Sequence, residues 1–278
     1  AVGVLVEGGR TGEVKITGSI TVDESTEIKD TDSDGDNDGP FATGARRFGV
    51  RVTGPAAFNG SITQTGGTIT AEGTDSAGIS VEGALNGSIR STGSIVASGD
   101  RTFGVHAAGP VSGDVSVASV SAQGADAVAV ALDGDIGGRL TISSTVATTG
   151  YRLTTRPAES AVAKLDADDL LQGGPAVRVR GDVAGGILLD APPADLDPND
   201  TDEDDDGVAD ASETTGGISS FGAAPALQVG GADTISIGLA GTGADAYGVL
   251  LKGNVAASGV YDGITGNAIQ LGGLGGAV

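Results

Sequence analysis

The chain contains no cysteine, no methionine and no tryptophan, only one histidine, and aromatic residues make up 3 % of its 278 positions. Without cysteine there is neither a disulfide framework nor a thiolate metal site. A single histidine, His106, excludes a histidine pair or a His-rich metal centre. With so few aromatics, any core must be built from Val, Ile, Leu and Ala. Basic residues are scarce as well, 15 against 37 acidic ones, for a net charge of -22. A nucleic-acid partner would need clustered Lys and Arg to neutralise phosphates, so that class is set aside. No apolar run approaches the 18 or more residues of a membrane-spanning helix, and no signal peptide is recognisable. The chain opens at Ala1 rather than Met, which reads as a processed or excised start.

What is abundant is glycine, and it is patterned. An aromatic residue followed by Gly-Val occurs at Phe48-Gly49-Val50, Phe103-Gly104-Val105 and Tyr247-Gly248-Val249, and degenerate copies open at positions 3, 78, 129, 176, 226 and 268. Starts at 49, 78, 104 and 129 lie about 25 residues apart, a period expected of solenoids and related arrays. The longer gaps, from 3 to 49, 129 to 176 and 176 to 226, read as one coil plus an insertion. Inside a repeat, apolar residues alternate with Ser, Thr, Glu and Arg, as at Ile79, Val81, Ile89, Ile95 and Ala97. Period two means strands with one buried face. Three short strands per repeat, separated by Gly or Asn-Gly corners, describe one turn of a three-sided coil that buries its apolar face by stacking on the next. The expected fold is therefore all-β, a right-handed parallel β-helix or β-solenoid of about nine coils. It forms a single domain over 1–278 with insertions at 30–40, 151–174 and 192–217. Residues 158–172 of the middle insertion are compatible with a short helix. Asn59-Gly60 and Asn86-Gly87 occupy equivalent corners, and their Asn-Gly-Ser sequons read as turn chemistry.

Two insertions are aspartate runs. Asp202-Glu-Asp204-Asp-Asp206-Gly207-Val208-Ala-Asp210-Ala-Ser-Glu213 matches a calcium-loop pattern at every position. A hard cation takes six to eight oxygens, and alternate aspartates on a curling loop converge on it. Asp202, Asp204 and Asp206 would give carboxylates, Val208 its carbonyl, Asp210 a direct or water-bridged contact and Glu213 a bidentate clamp. Pro192, Pro193 and Pro198 before the loop and Thr214-Thr-Gly-Gly217 after it oppose flanking helices. The loop thus resembles those of dockerins or thrombospondin type 3 repeats more than an EF-hand. The first run has Asp30, Asp32, Asp34, Asp36 and Asp38, but Phe41 stands where the clamping Glu would be. Ca2+ is the expected ligand of both, at the 10⁻⁴ to 10⁻³ M typical of extracellular modules.

Lines such as Gly113-Asp-Val-Ser-Val-Ala-Ser-Val-Ser-Ala-Gln-Gly-Ala-Asp-Ala-Val-Ala-Val130 and Gly241-Thr-Gly-Ala-Asp-Ala-Tyr-Gly-Val249 resemble the passenger regions of bacterial autotransporters and related β-helical adhesins. The resemblance implies export to a bacterial surface, and the cysteine-free composition suits passage through an oxidising periplasm. It covers nearly the whole chain outside the aspartate runs. The translocating barrel of that family has no counterpart in these residues.

Three functional classes follow. The first is a non-enzymatic, extracellular, calcium-binding structural element of a surface or biofilm matrix that assembles head to tail with itself, because neither end carries an amphipathic cap. The second is an adhesin that presents its loops to host-cell or matrix glycans or proteins. The third is a glycan-active β-helix enzyme. Its least implausible catalytic cluster is Asp166, Asp168 and Asp169 beside Lys164, Arg152 and Arg156, which reads more simply as acidic decoration of an insertion. The outward position of the first strand runs Leu5, Arg51, Ser80, His106, Ala131, Arg178, Gln228, Leu250, Gln270, a mixed face without an evident site. Arg180-Gly-Asp182 matches the integrin-recognition triplet by chance, at a strand end where the repeat places such residues anyway.

Overall fold

The computed structural model describes residues 1–24, 30, 42–151, 153–193, 196–197, 199–202 and 209–278. They form a parallel β-solenoid in which every strand pairing is parallel. One sheet stacks Val2–Glu7, Phe48–Thr53, Ala77–Val81, Phe103–Ala107, Val128–Leu132, Val177–Val179, Leu227–Val229 and Ile269–Leu271 in chain order. Eight strands at the usual parallel spacing make a stack roughly 34 Å tall. A second sheet holds the other two sides of the coil. Its second row runs from Val14–Ile16 through Ile62–Gln64 to Leu140–Ile142, Ile187–Leu189 and Val249–Leu251, and its third row from Ile20–Val22 through Thr68–Glu72 to Thr145–Thr149, Gly217–Phe221 and Asn254–Ser258. The long strands Ile89–Ser98 and Val115–Gln123 span both rows. A ladder of single bridges, Leu85, Val111, Ile136, Val183 and Ile237, marks the corner between the first and second rows.

Alternation of side chains puts the same chemistry in the same place in successive coils. Val4, Val50, Ile79, Val105, Val130, Val177, Leu227 and Ile269 form one inward column, and Val6, Val52, Val81, Ala107, Leu132, Val179, Val229 and Leu271 form the next. Away from the ends these positions are fully buried, so the core is a stack of aliphatic layers. Polar exceptions sit inside it, Gln64 and Ser91 in the second row and Thr148 and Ser220 in the third. Gln64 Nε2 donates to the carbonyls of Gly66, Gly67 and Ser94 at 3.2–3.3 Å, and its Oε1 accepts from Ser91 Oγ at 2.7 Å. Its two N–H groups, shared among three carbonyls, and its oxygen are all partnered, as burial requires.

The aromatic-Gly-Val opening has a steric cause. A Cβ on Gly78 would lie 2.4 Å from Ile95 Cγ2 and 2.7 Å from the Gly104 carbonyl, and Gly49 and Gly104 meet the same obstruction one coil away. These glycines lie within strands, not at the corners, and are required because the first sheet approaches a third-row side chain closely. Coil Val128–Leu132 has Ala129 at this position and Val146 in the third row.

The copy at Gly248 departs from the expectation. Val249–Leu251 pairs with Ile187–Leu189 in the second row, so Tyr247-Gly248-Val249 is not a first-sheet opening and Leu250 faces out beside Leu188. The outward first-sheet column is Leu5, Arg51, Ser80, His106, Ala131, Arg178, Gln228, Gln270. In the middle insertion, α-helix is confined to Glu159–Val162. At the corner leading into the first sheet, Arg46, Asp75, Arg101 and Asp126 each adopt a left-handed backbone, with φ of 56°, 52°, 50° and 56°. They stack on successive coils: Arg46, Asp75 and Arg101 donate their amides to the carbonyls of Thr74, Asp100 and Ala125. Charge alternates up this column, and Arg101 grips Asp75 with two bonds of 2.8 and 3.0 Å.

Candidate functional site

The second aspartate loop is set on the coil by its ends. Gly216 N donates to Asp190 O at 2.7 Å, so the chain leaves the second row at Asp190 and re-enters the third row directly at Gly217. The Asp190 carboxylate is bound to Lys252 Nζ at 2.7 Å, which ties the root of the loop to the next coil. Within the insertion, Asp197 Oδ1 accepts the amide and side-chain nitrogens of Asn199 at 3.0 Å, and those two bonds hold its carboxyl below the usual range. Asp200 Oδ1 receives the Asp202 amide at 3.3 Å. Asp210 N then donates to Thr201 O at 3.0 Å, closing a ring whose two sides carry Asp202 and Asp210. One 3₁₀ turn, Asp210–Ser212, follows and brings Glu213 back with its amide on Asp210 O at 3.1 Å.

Asp202, Asp210 and Glu213 are thus brought to the neck of one loop, without a flanking helix longer than that single turn among the described residues. Their donor set is oxygen only, which fits a hard cation such as Ca2+ and does not fit a soft one. Asp204, Asp206 and Val208 lie outside the described residues, as do Asp32, Asp34, Asp36 and Asp38 of the first loop, where Asp30 alone is described. Among the described residues, no group of three His, Cys, Asp or Glu side chains stands ready to hold a metal.

The neck of the first insertion is organised by a residue that the sequence did not single out. Glu24 accepts the amides of Thr43 and Gly44 and pairs with Arg47 Nη1 at 2.7 Å, so that the two limbs of the insertion meet. Both aspartate insertions are therefore pinned at the base by a carboxylate.

The middle acidic cluster is spent on local turns. Asp166 Oδ1 accepts the Asp168 amide at 3.0 Å, and Asp169 Oδ2 accepts the Asp166 amide at 3.2 Å. Asp169 is buried beneath Tyr261, whose hydroxyl donates to its carbonyl at 2.6 Å. Arg156 pairs with Asp262, and Arg152 lies outside the described residues.

On the first sheet, the outward column proves to be organised. Arg51 lies over the Phe48 ring at 4.5 Å and makes two bonds of 2.8 Å to Glu82 of the next coil. Two coils on, the pattern returns with more members. His106 stacks on Phe103 at 4.1 Å, and Asp133 of the following coil binds His106 Nε2 at 3.0 Å and Arg178 of the coil after that at 2.7 and 3.1 Å. Burial alone would raise the Asp133 carboxyl. The hydrogen bonds and charges of His106 and Arg178 outweigh it and hold the group far below the usual carboxylate range. The available signal was an acidic residue just before a corner glycine, Glu82-Gly83 and Asp133-Gly134, two positions after the outward site.

Arg180-Gly-Asp182 has a structural use. Asp182 Oδ1 accepts the Ser236 amide at 2.7 Å, while its own amide donates to Asp135 Oδ1 at 3.0 Å. Ser61, Ser88 and Asp114 form a similar staircase, each side-chain oxygen accepting an amide of the next coil. Compared with known proteins, the chain matches no protein-family model, and neither a curated protein nor a solved structure shows significant similarity to it.

Proposed function

We propose that the chain is a structural rather than catalytic element of a bacterial surface or extracellular matrix. In this reading it is a calcium-loaded solenoid rod that joins other copies end to end. The observation that carries the proposal is the stacking itself. Each coil pairs in parallel with its neighbours along all three rows, and the same aliphatic columns run from coil to coil. A turn of this kind is a template for a further parallel coil. A second copy supplies a turn of the same kind, and a head-to-tail contact that does not close produces a fibre.

Calcium enters through the aspartate loops. Asp202, Asp210 and Glu213, joined by Asp204, Asp206 and the Val208 carbonyl, would hold one ion, and Asp30 with Asp32, Asp34, Asp36 and Asp38 a second. The metal would neutralise carboxylates that otherwise repel each other in a chain of net charge -22. Export is supported by the likeness to autotransporter passengers and by the millimolar calcium available outside cells. Electron microscopy of the purified chain in millimolar calcium, and again after chelation, tests the proposal. Filaments that form with calcium and dissolve without it are expected. Short dispersed rods in both conditions would reject self-assembly and favour an adhesin that works as a monomer.

A further inference from the structure

The insertion that carries the second aspartate loop does not stand away from the coil. Its return limb lies along the corner between the second and third rows, where Thr214 Oγ1 donates to Ser143 O at 3.3 Å and Gly217 N to Ser144 O at 2.8 Å. Between that limb and the corner runs a groove of about 350 Å3. Four successive coils line it with residues 66–67, 92–94, 118–119 and 143–144, and Ala191 and Pro192 form part of the opposite wall. Its volume falls in the range of small-ligand clefts, about 300–1,000 Å3.

The lining selects a ligand class. Among the described residues no Lys, Arg or His borders the groove, so an anionic ligand would meet no counter-charge from them on a strongly acidic chain. Among the described residues its only apolar side chains are those of Ala118, Ala191 and Pro192, too little surface for an acyl chain or an aromatic ligand. The groove is also not a strand edge: the corner backbone is paired between coils, as where Ser94 N donates to Gly67 O at 3.1 Å. An extended peptide therefore cannot add to it as a strand. What the walls offer is hydroxyls and two carboxylates, Asp190, already paired with Lys252, and Glu213, whose place in the candidate calcium loop turns it to the metal. Ser94, Ser119 and Ser144 are half-buried, line the groove from three consecutive coils, and make no side-chain hydrogen bond with any described residue. Thr141 Oγ1 accepts from Arg139 Nε at 3.1 Å and keeps its proton to donate. Each hydroxyl both donates and accepts. A row of them, one coil apart, matches a ligand that presents closely spaced hydroxyls of its own.

We propose that this groove binds a segment of a neutral glycan, with Ser94, Ser119, Thr141 and Ser144 as hydrogen-bonding partners. The site lies on the side of the rod, away from both ends, so it stands whether or not the chain polymerises. The glycines at 67 and 93 leave the floor free of side chains there, and the insertion limb walls one side.

The test is amide-resolved NMR of the isotope-labelled chain in millimolar calcium. Cello-, malto-, manno- and chito-oligosaccharides would be titrated beside a uronate oligosaccharide and an uncharged hexapeptide. At least one neutral oligosaccharide should shift amides of residues 92–94, 118–119 and 141–144. Ser119→Trp, which fills the groove from an outward position, should abolish those shifts and leave the remaining spectrum in place. Ser94→Ala should weaken binding about three- to tenfold, the worth of one hydrogen bond. Gln228→Trp on the first sheet should change nothing. Binding that persists in Ser119→Trp, binding of only the uronate or only the peptide, or no binding by any neutral oligosaccharide would each overturn the assignment.

Discussion

Asp133 joins three coils through a single carboxylate, and its removal should be felt strongly. It receives two bonds from Arg178 and one from His106, and the side chains involved are only 14–25 % exposed. A net hydrogen bond to a charged group is worth about 1.5–3 kcal/mol and an exposed ion pair about 0–1 kcal/mol. Three bonds on a mostly covered carboxylate, at about 1 kcal/mol each between those limits, give about 3 kcal/mol for Asp133→Ala. Asp133→Asn keeps an acceptor and loses the charge, for about half that effect. With an unfolding entropy of about 2.1 cal/mol/K per residue, Asp133→Ala should melt roughly 5 °C lower by circular dichroism. The pH dependence gives an independent check. Because the folded carboxyl is held below its ordinary value, its contribution is complete above about pH 4 and is lost as pH falls toward the depressed value. The stability gap between the parent chain and Asp133→Asn should therefore be constant near neutrality and narrow below about pH 4. Acidic groups that do not touch His106 or Arg178 act alike in both proteins, so the narrowing below about pH 4 reports on this carboxylate and its two partners. A gap that stays unchanged through that range, or an Asp133→Ala chain that melts within about 1 °C of the parent, would refute the reasoning.

Three further expectations concern other parts of the coil. Gly78→Ala should cost about 3 kcal/mol or prevent folding, because the new methyl would strike Ile95 Cγ2 and a backbone carbonyl; chemical denaturation reads it, and a neutral result would mean that the first sheet is not pressed against the third row. Glu213→Gln should weaken one calcium site by about tenfold or more while leaving the other, as resolved by calorimetric titration. If the heat of binding is the same in both chains, Glu213 is not a ligand. Arg101→Asp places three acids in a row with Asp75 and Asp126, so it should destabilise the chain at low salt and much less at high salt. A penalty independent of salt would assign the column's role to backbone conformation alone.

Most of the fold was legible because a solenoid repeats its physics every coil. Alternation at Ile79, Val81, Ile89 and Ile95 identified strands and their buried face, and the outward column from Leu5 to Gln270 emerged in its observed register at every position but Leu250. That failure is instructive. Gly248-Val-Leu-Leu-Lys-Gly253 has the same pattern as a first-sheet strand, and alternation reports which face is buried, not which of three sides a strand joins. The extended corner at 230–247, between Leu227–Val229 and Val249–Leu251, shifted the strand to the second row. Ion pairs were the other blind spot. Arg178 and Asp133 are 45 residues apart, and they meet only because the insertion at 151–174 projects from the stack and leaves the two coils adjacent. Glu24 was invisible for the same reason, since its partners Thr43, Gly44 and Arg47 lie beyond the first insertion. At the candidate calcium loop, only Asp202, Asp210 and Glu213 of the expected ligands fall among the described residues, and the Asp210 amide bond to Thr201 O that links the two limbs could not be read from the pattern.

The alternating corner column has a meaning for assembly of the coil itself. In the interior, one aliphatic layer is nearly interchangeable with the next, so burial alone hardly distinguishes a correct stack from one displaced by a whole turn. Arg46, Asp75, Arg101 and Asp126 break that degeneracy. A displacement of one turn sets arginine against arginine and aspartate against aspartate, whereas the native order sets each charge beside its opposite and pairs Arg101 with Asp75. The column therefore works as a parity check on a periodic polymer, rejecting odd slips while the chain is still finding its place. Even slips escape it, and for those the aromatic clamps at Phe48 and Phe103, with their different partners, supply the address of each coil.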